Sequence, residues 1–262
     1  MKQYYGCIPS PKDLRNYRIV ATSINLPKQF ELKHSHIKAQ GSVGSCVAHG
    51  ISEVLETNDN INYSTGWIYG YRPTGYYQGK GMCINEALKT ITNVGYIDND
   101  KFDVNIEMNK AKELVDKDID KLTELASKKK IKSYAWLNCL DEIKEALYIH
   151  KTPVILNIPI DVKGLELDDN NVAIIPTKEE GSHCVVCYGW NETGLMIQNS
   201  WGEDWGNKGT FILPYEYHII ESWLIEFEDK KDKQEDITKK PNYYWLRELI
   251  MIFVKIIRKM IK

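Results

Sequence analysis

A turn rich in glycine and serine, residues 40–50, runs directly into an amphipathic segment and carries one cysteine, Cys46, at the junction. Apolar residues follow at helical spacing, at Val47, Ile51, Val54 and Leu55. This spacing predicts a helix packed on one face, with Cys46 in its first turn. Free backbone N–H groups and the positive end of the helix dipole favour an anion there. The sequence therefore predicts a Cys46 shifted toward the thiolate, the form that attacks carbonyl carbon.

Size and charge limit the partners of the chain. Its 262 residues, 43% of them hydrophobic, suffice for one large domain or for two lobes that share a core. The formal net charge of −2, with mixed signs, argues against a nucleic-acid partner. Six cysteines are too dilute in a chain of this length for a disulfide scaffold. We expect neither a metal nor a cofactor.

The sequence also indicates the cellular compartment in which the protein is expected. The N-terminus has no apolar core of a secretory signal, and no run of about 18 apolar residues predicts a membrane-spanning helix. These features favour a soluble protein made in a reducing compartment. We expect it to be cytoplasmic by default, or exported by a non-classical route.

Periodicity predicts a helical first half and a strand-rich second half. The predicted helices cover residues 46–58, 83–93, 108–130 and 140–150, and an aromatic stretch at residues 67–81 is interpreted as a loop. The predicted strands cover residues 153–158, 172–175, 184–188, 195–198 and 211–213. The predicted organisation is an N-terminal extension (1–25), a helical lobe (26–130), a β-rich lobe (131–227), a charged linker (228–242) and a C-terminal helix (243–262).

The C-terminal segment, residues 243–262, forms an amphipathic helix if it is helical. Trp245, Leu249 and Ile256 lie on its apolar side, and a cationic rim borders them. One interpretation is a helix that lies in a membrane interface, which would attach the protein to a membrane. The other is a helix that docks on its own domain or self-associates with a second copy.

Two polar residues flank neighbouring predicted strands. His183 begins one apolar strand and Asn199 ends the next, with a hairpin at residues 191–194 between them. The hairpin predicts that both side chains lie near one end of the sheet. An amide beside an imidazole can orient a general base without adding charge.

Two competing interpretations are weaker. His49 lies one helical turn after Cys46 and could act as the base, but a packing role is favoured because both residues share one helix. Cys184 and Cys187 have a metal-ligand spacing, but residues three apart on a strand point to opposite faces. Two buried small residues are the favoured interpretation.

These motifs together resemble the papain-like cysteine peptidases, in their bacterial form without a prodomain. The resemblance covers most of residues 26–227. The pattern Gln-Gly followed by Ser-Cys occurs at residues 40–46, and Asn-Ser-Trp-Gly followed by Trp-Gly occurs at residues 199–206. The family implies an α+β fold of two lobes, with the active-site cleft between them. The N-terminal lobe would be helical, and the C-terminal lobe would be an antiparallel, β-barrel-like structure.

The resemblance assigns roles to individual positions. Cys46 would be the nucleophile, His183 its base and later acid, Asn199 the residue that orients His183, and Gln40 a donor to the oxyanion. Residues that would form the substrate site are Gly81, Met82, Ile84, Ser182 and Trp201, the last of which would also shield the bond between His183 and Asn199.

The chain departs from the family pattern at two positions and at its start. Val43 replaces a cysteine that the family pairs in a disulfide, and Val47 replaces an aromatic residue. Residues 1–25 are too short for the large inhibitory propeptide of the family. We therefore expect a different control of activity.

The resemblance implies a cysteine endopeptidase that hydrolyses protein or peptide substrates through a thioester acyl-enzyme. An enzyme that transfers the acyl group to an amine, a transpeptidase or crosslinking enzyme, would use the same residues. A binding protein without turnover is disfavoured, because the set of Gln40, Cys46, His183 and Asn199 is intact.

Overall fold

The computed structural model of the chain describes residues 6–13, 16–19, 24–72 and 81–228. The chain divides into two units, Met1–Phe227 and Glu228–Lys262. The predicted charged linker and amphipathic C-terminal helix lie outside the described residues, apart from Glu228. Within the described residues, no helix is both long enough and apolar enough to cross a bilayer.

The first half of the described chain is mainly helical. Its helices are α1 (Cys46–Asp59), α2 (Thr65–Gly70), α3 (Ile84–Asn93), α4 (Ala111–Lys117) and α5 (Ile119–Ala126), with a 3-10 helix at Asn105–Lys110. Three short strands accompany them, β1 (Cys7–Ile8), β2 (Phe30–Glu31) and β3 (Met82–Cys83). β1 and β3 form a parallel pair of their own.

The second half forms an antiparallel sheet with one helix, α6 (Leu140–His150). Its strands are β4 (Ser133–Leu137), β5 (Val154–Ile160), β6 (Gly181–Trp190), β7 (Gly194–Gln198), β8 (Thr210–Pro214) and β9 (Glu221–Glu226). In the described part of the chain the strand order is β4-β9-β5-β6-β7-β8, and β2 joins the sheet by pairing with β6. A register shift between Cys187 and Gly189 interrupts the pairing of β6 with β7.

The sheet separates two hydrophobic clusters. Ile155 and Val186 pack with α1, α2 and α3 in the first cluster, whereas Val154 and Val185 pack with α6 in the second. Because successive strand residues point to opposite faces, both faces of β5 and β6 are buried. This explains why β5 is apolar at every position except Asn157, in place of an alternating pattern. The predicted α+β, two-lobed papain-like fold is confirmed.

Several local predictions were wrong. Part of the predicted loop at residues 67–81 is α2, which begins at an N-cap where Ser64 Oγ accepts a hydrogen bond from the Trp67 N–H. The predicted helix at residues 108–130 is divided at Asp118, where the backbone leaves helical geometry. In place of the predicted strand at residues 172–175, only Val172 and Ala173 form isolated bridges, and β4 and β9 were not predicted.

Candidate active site

The nucleophile candidate lies at the start of a helix, as its sequence context predicts. Ser45 is the N-cap, its N–H donates to the Val43 carbonyl at 2.8 Å, and α1 begins at Cys46. Cys46 is fully buried. Backbone groups of Cys184, Gly6 and Val47 lie close enough to its sulfur to oppose the rise in its pKa that burial causes. The contact with Cys184 brings the sulfur beside the residue that follows His183.

A tight hairpin brings His183 and Asn199 together. The side chain of Asn191 accepts hydrogen bonds from the N–H groups of Thr193, at 2.9 Å, and Gly194, at 3.1 Å, and closes the turn between β6 and β7. Asn199 then follows the last residue of β7, and its Oδ1 lies 2.8 Å from Nε2 of His183. Both side chains are fully buried.

An indole ring covers this pair. Trp201 stacks on the imidazole of His183, with ring centroids 4.6 Å apart and an interplanar angle of 26°. Trp205 packs edge-on against Trp201 at 4.9 Å. Nδ1 of His183 is buried and has no hydrogen-bond partner among the described residues. The imidazole is therefore held from one side, and its second nitrogen is available for proton transfer.

Gln40 is anchored at both ends of its amide. Its Nε2 donates to the Val43 carbonyl at 2.9 Å, and its Oε1 accepts from the hydroxyl of Ser200 at 2.9 Å. Its backbone N–H also donates to the Ser200 carbonyl at 2.9 Å. These bonds hold an amide donor beside the turn that precedes Cys46, and Ser200 is a supporting residue that the sequence analysis did not identify.

The N-terminal segment occupies the groove above this site. We call residues 6–10 the N-terminal strap. The Gly6 carbonyl accepts a hydrogen bond from the Met82 N–H at 2.8 Å, and the Cys7 carbonyl accepts one from the Ser182 hydroxyl at 2.8 Å. Met82 belongs to β3 and Ser182 to β6. The strap therefore connects β3 to β6 beside Cys46, across the cleft that the family resemblance predicts.

Two further bonds fasten the end of the strap. The Ser10 N–H donates to Oε1 of Glu221 at 3.1 Å, and the Ser10 hydroxyl accepts from the N–H of Asn85 at 3.1 Å. Glu221 itself is buried and accepts bonds from Asn157, at 3.1 Å, and from the indole of Trp223, at 2.9 Å. The strap is thus tied to both α3 and β9.

The predicted substrate residues lie around the strap and the imidazole. Gly81, whose φ is +70°, would place a Cβ atom 2.5 Å from the Gly6 carbonyl oxygen. Met82 and Ser182 bond to the strap, Trp201 stacks on His183, and Ile84 is buried in the helical cluster. Their substrate-binding roles stay predictions.

The covered site holds a neutral pair. Burial, together with the proximity of Cys184, raises the pKa of Cys46 to about 12, although backbone groups of Cys184, Gly6 and Val47 oppose the shift. Burial also lowers the pKa of His183 to about 4, against the opposing effect of its bond to Asn199. The predicted shift of Cys46 toward thiolate is therefore wrong for the covered state, because desolvation outweighs the helix terminus.

The structure bears on the two competing interpretations, His49 as the base and Cys184 with Cys187 as metal ligands. His49 is buried, and its Nδ1 lies 2.9 Å from the Ser45 carbonyl oxygen, in keeping with a packing role. Cys184 and Cys187 belong to different hydrophobic clusters on opposite faces of the sheet. Across the described ranges, no group of three or more histidine, cysteine, aspartate or glutamate side chains could hold a metal ion. All six cysteines are free.

Comparisons with known proteins agree on one family. The profile of the papain family cysteine proteases matches residues 26–221. An uncharacterized peptidase C1-like protein of Acanthamoeba polyphaga mimivirus is 25% identical over 214 residues, which are 72% of this chain and 67% of that protein.

Solved structures share the fold. Xylellain, a cysteine protease from Xylella fastidiosa, superposes with a TM-score of 0.73 at 22% identity, over 87% of this chain and 98% of its own. A cysteine protease of Carica candamarcensis, in complex with E-64, gives a TM-score of 0.59 at 15% identity, over 77% of this chain and 99% of its own.

Proposed function

The chain belongs to the papain family of cysteine proteases, and we propose that it hydrolyses peptide bonds with Cys46 as the nucleophile and His183 as the general base. One observation carries this assignment. Nδ1 of His183 has no partner among the described residues, whereas Nε2 is held 2.8 Å from Asn199. The next residue, Cys184, lies close enough to the Cys46 sulfur to affect its pKa.

Each side chain has a chemical role in the proposed reaction. Cys46 transfers its proton to Nδ1 of His183 and attacks the carbonyl carbon of the scissile bond. The amide of Gln40 and the backbone N–H of Cys46 donate to the oxyanion. The imidazolium then protonates the leaving amine, and a thioester remains on Cys46. His183 activates a water molecule that hydrolyses the thioester and releases the second product.

The strap must leave the groove before a substrate can bind. Gly6 and Cys7 bond to Met82 and Ser182, which are predicted to contact substrate. Water that enters after strap release would lower the pKa of Cys46 and raise that of His183, because desolvation is the main cause of both shifts. An uncovered site therefore favours the thiolate and imidazolium forms that the reaction needs. The described structure is the resting form in this proposal.

The same residues would serve an acyl-transfer enzyme, in which an amine replaces water at the thioester. Added amine acceptors distinguish the two reactions, since transfer gives a conjugated product in place of the free acid. Protein or peptide substrates fit both. We propose hydrolysis because it needs no second binding site.

The central test is turnover of a fluorogenic peptide library by the full chain and by Cys46→Ala, His183→Ala and His49→Ala. We expect a loss of at least about a thousandfold for Cys46→Ala and His183→Ala. His49→Ala should retain turnover, corrected for folded protein. An epoxide that alkylates active-site thiols should label the wild type at Cys46.

Two results would contradict the proposal. Equal turnover by wild type and Cys46→Ala would exclude Cys46 as the nucleophile. Turnover retained in His183→Ala but lost in a folded His49→Ala would transfer the role of base to His49.

A further inference from the structure

A cysteine of the N-terminal strap lies close to a cysteine of β6. The Ser182 hydroxyl donates to the Cys7 carbonyl at 2.8 Å, which fixes Cys7 over the start of β6. Residues two apart on a strand share a face, so Cys184 lies on the same side of β6 as Ser182. After burial, the Cys184 side chain is the largest cause of the raised pKa of Cys7, so the two side chains lie close together. A cysteine of the strap and a cysteine of the sheet are thus brought close together in one buried cluster.

The surroundings hold both sulfurs in place. Cys7 and Cys184 are buried, in the same hydrophobic cluster as Cys46. A Cβ atom placed on Gly50 would lie 3.1 Å from Sγ of Cys184, so this sulfur packs closely on α1. β1 pairs Cys7 with Met82 of β3, which limits how far Cys7 can turn away. Neither thiol has a task in the proposed reaction.

We propose that Cys7 and Cys184 form a reversible disulfide that fastens the N-terminal strap over Cys46. The effect on activity rests on the proposed protease function, but the bond itself does not. The modification site is the pair of sulfurs, and its reagent is a small-molecule disulfide such as oxidised glutathione.

The exchange balances in two steps. When the strap opens, the Cys7 thiolate attacks the small-molecule disulfide, forms a mixed disulfide and releases one small thiol. After the strap closes, the Cys184 sulfur attacks Sγ of Cys7, forms the internal disulfide and releases the second small thiol. Two protein thiols are oxidised, one small-molecule disulfide is reduced to two thiols, and both protein protons end on the released thiols.

Other pairings of Cys7 fit the contacts less well. The Cys46 thiol raises the pKa of Cys7 less than Cys184 does. The Cys83 thiol contacts the Pro9 carbonyl oxygen at 3.7 Å and lies further along the strap. Among the neighbouring thiols, Cys184 raises the pKa of Cys7 most.

The test uses full-length Cys46→Ala, which removes the reactive nucleophile and makes the result independent of catalysis. The protein is incubated with oxidised glutathione, remaining thiols are alkylated, and peptides are mapped by mass spectrometry without reduction. We expect a peptide that joins Cys7 to Cys184 and disappears after treatment with dithiothreitol. Adding Cys7→Ser should abolish it, and adding Cys187→Ser, a cysteine of the same strand on the opposite face, should not.

A second readout reports on the strap itself. The Met82 N–H donates to the Gly6 carbonyl, so its hydrogen exchange requires strap opening. We expect exchange at Met82 to slow at least about tenfold on oxidation of Cys46→Ala, and to stay unchanged when Cys7→Ser is added.

The outcomes separate this proposal from the proposed function. Alkylation of both Cys7 and Cys184 after oxidation, or a link from Cys7 to Cys83 alone, would overturn it. The same holds for Met82 exchange that does not respond to oxidation. Reduced wild-type protein that cleaves no peptide would contradict the protease proposal and leave the disulfide result standing.

Discussion

Oδ1 of Asn199 lies 2.8 Å from Nε2 of His183, although the two residues are 16 positions apart in the chain. The same oxygen accepts the backbone N–H of Ser200 at 2.8 Å. The acceptor that orients the imidazole is therefore fixed by its own backbone, and the imidazole cannot turn without losing this bond. Trp201 stacks on the imidazole and limits rotation further.

Replacing Asn199 should impair turnover through the orientation of His183. We expect Asn199→Ala to lower kcat about ten- to a hundredfold, because one orienting hydrogen bond, worth about 1.5–3 kcal/mol in the transition state, is lost. KM should change little. Steady-state kinetics on a fluorogenic peptide measure both values.

Asn199→Asp is the matched control, since it keeps an acceptor oxygen at the same position. It should retain more activity than Asn199→Ala and move the basic limb of the pH–rate profile upward, because a carboxylate keeps the imidazolium protonated to higher pH. Equal losses in the two variants with unchanged pH profiles would exclude an orienting role.

Gln40 should contribute to oxyanion stabilisation. We expect Gln40→Ala to lower kcat about a hundredfold, which corresponds to roughly 3 kcal/mol for one oxyanion donor. Ser200→Ala removes the bond to Oε1 of Gln40 but keeps the donating amide, so its loss should be clearly smaller. Thermal unfolding of both variants reports on the loop. If Ser200→Ala lowered kcat as much as Gln40→Ala, the effect of Gln40 would be structural.

The strap should be displaced by a single methyl group. A Cβ atom on Gly6 would lie 1.9 Å from the Gly44 carbonyl oxygen, a backbone atom that cannot move aside without moving the turn before Cys46. We expect Gly6→Ala to release the strap and raise the rate of epoxide labelling at Cys46 about tenfold or more, since labelling then no longer awaits opening.

Pro11→Ala is the control for this experiment, because Pro11 is exposed and follows the strap directly. It should label at the wild-type rate. Labelling of Gly6→Ala at that same rate would mean that the strap does not limit access to Cys46.

His49 should make the free energy of unfolding depend on pH. Burial lowers its pKa to about 4 from 6.5, so the unfolded chain binds more protons than the folded chain between these values. The contribution of His49 to the unfolding free energy is therefore complete above pH 6.5 and decreases as the pH falls from 6.5 to 4. Below pH 4 it does not change further. The slope is about 1.4 kcal/mol per pH unit for one full proton.

The measurement is urea unfolding of wild type and His49→Gln at several pH values from 4 to 7. In His49→Gln, the slope of the unfolding free energy against pH should be smaller by up to the amount that one proton contributes. The contribution of His183 to the slope remains. Identical slopes in the two proteins would show that His49 is not buried as a neutral imidazole.

Local sequence signals were sufficient for the elements that hold the proposed catalytic residues. The turn before Cys46 and the hairpin between His183 and Asn199 are built by neighbouring residues, so spacing and turn chemistry predict them. α6 was predicted at the residues where it occurs, Leu140–His150, because its apolar spacing is regular.

Other elements depend on residues far away in the chain. β9 aligns Trp223 with Trp136 of β4 and with Ile155 of β5, and neither partner is near in sequence. β1 has only two residues, too few for any periodicity, and its position is set by β3. Local sequence patterns therefore do not predict the strap, or the burial of Cys46 that goes with it.

Because the strap belongs to the same chain as Cys46, its occupancy of the groove is an intramolecular equilibrium. Diluting the protein cannot release it, and raising the protein concentration cannot promote it. A peptide that enters the groove competes with a local strap concentration in the millimolar range, the order of magnitude for a short tether. Apparent substrate affinity would then depend on the length and stiffness of residues 11–25 as well as on the groove itself.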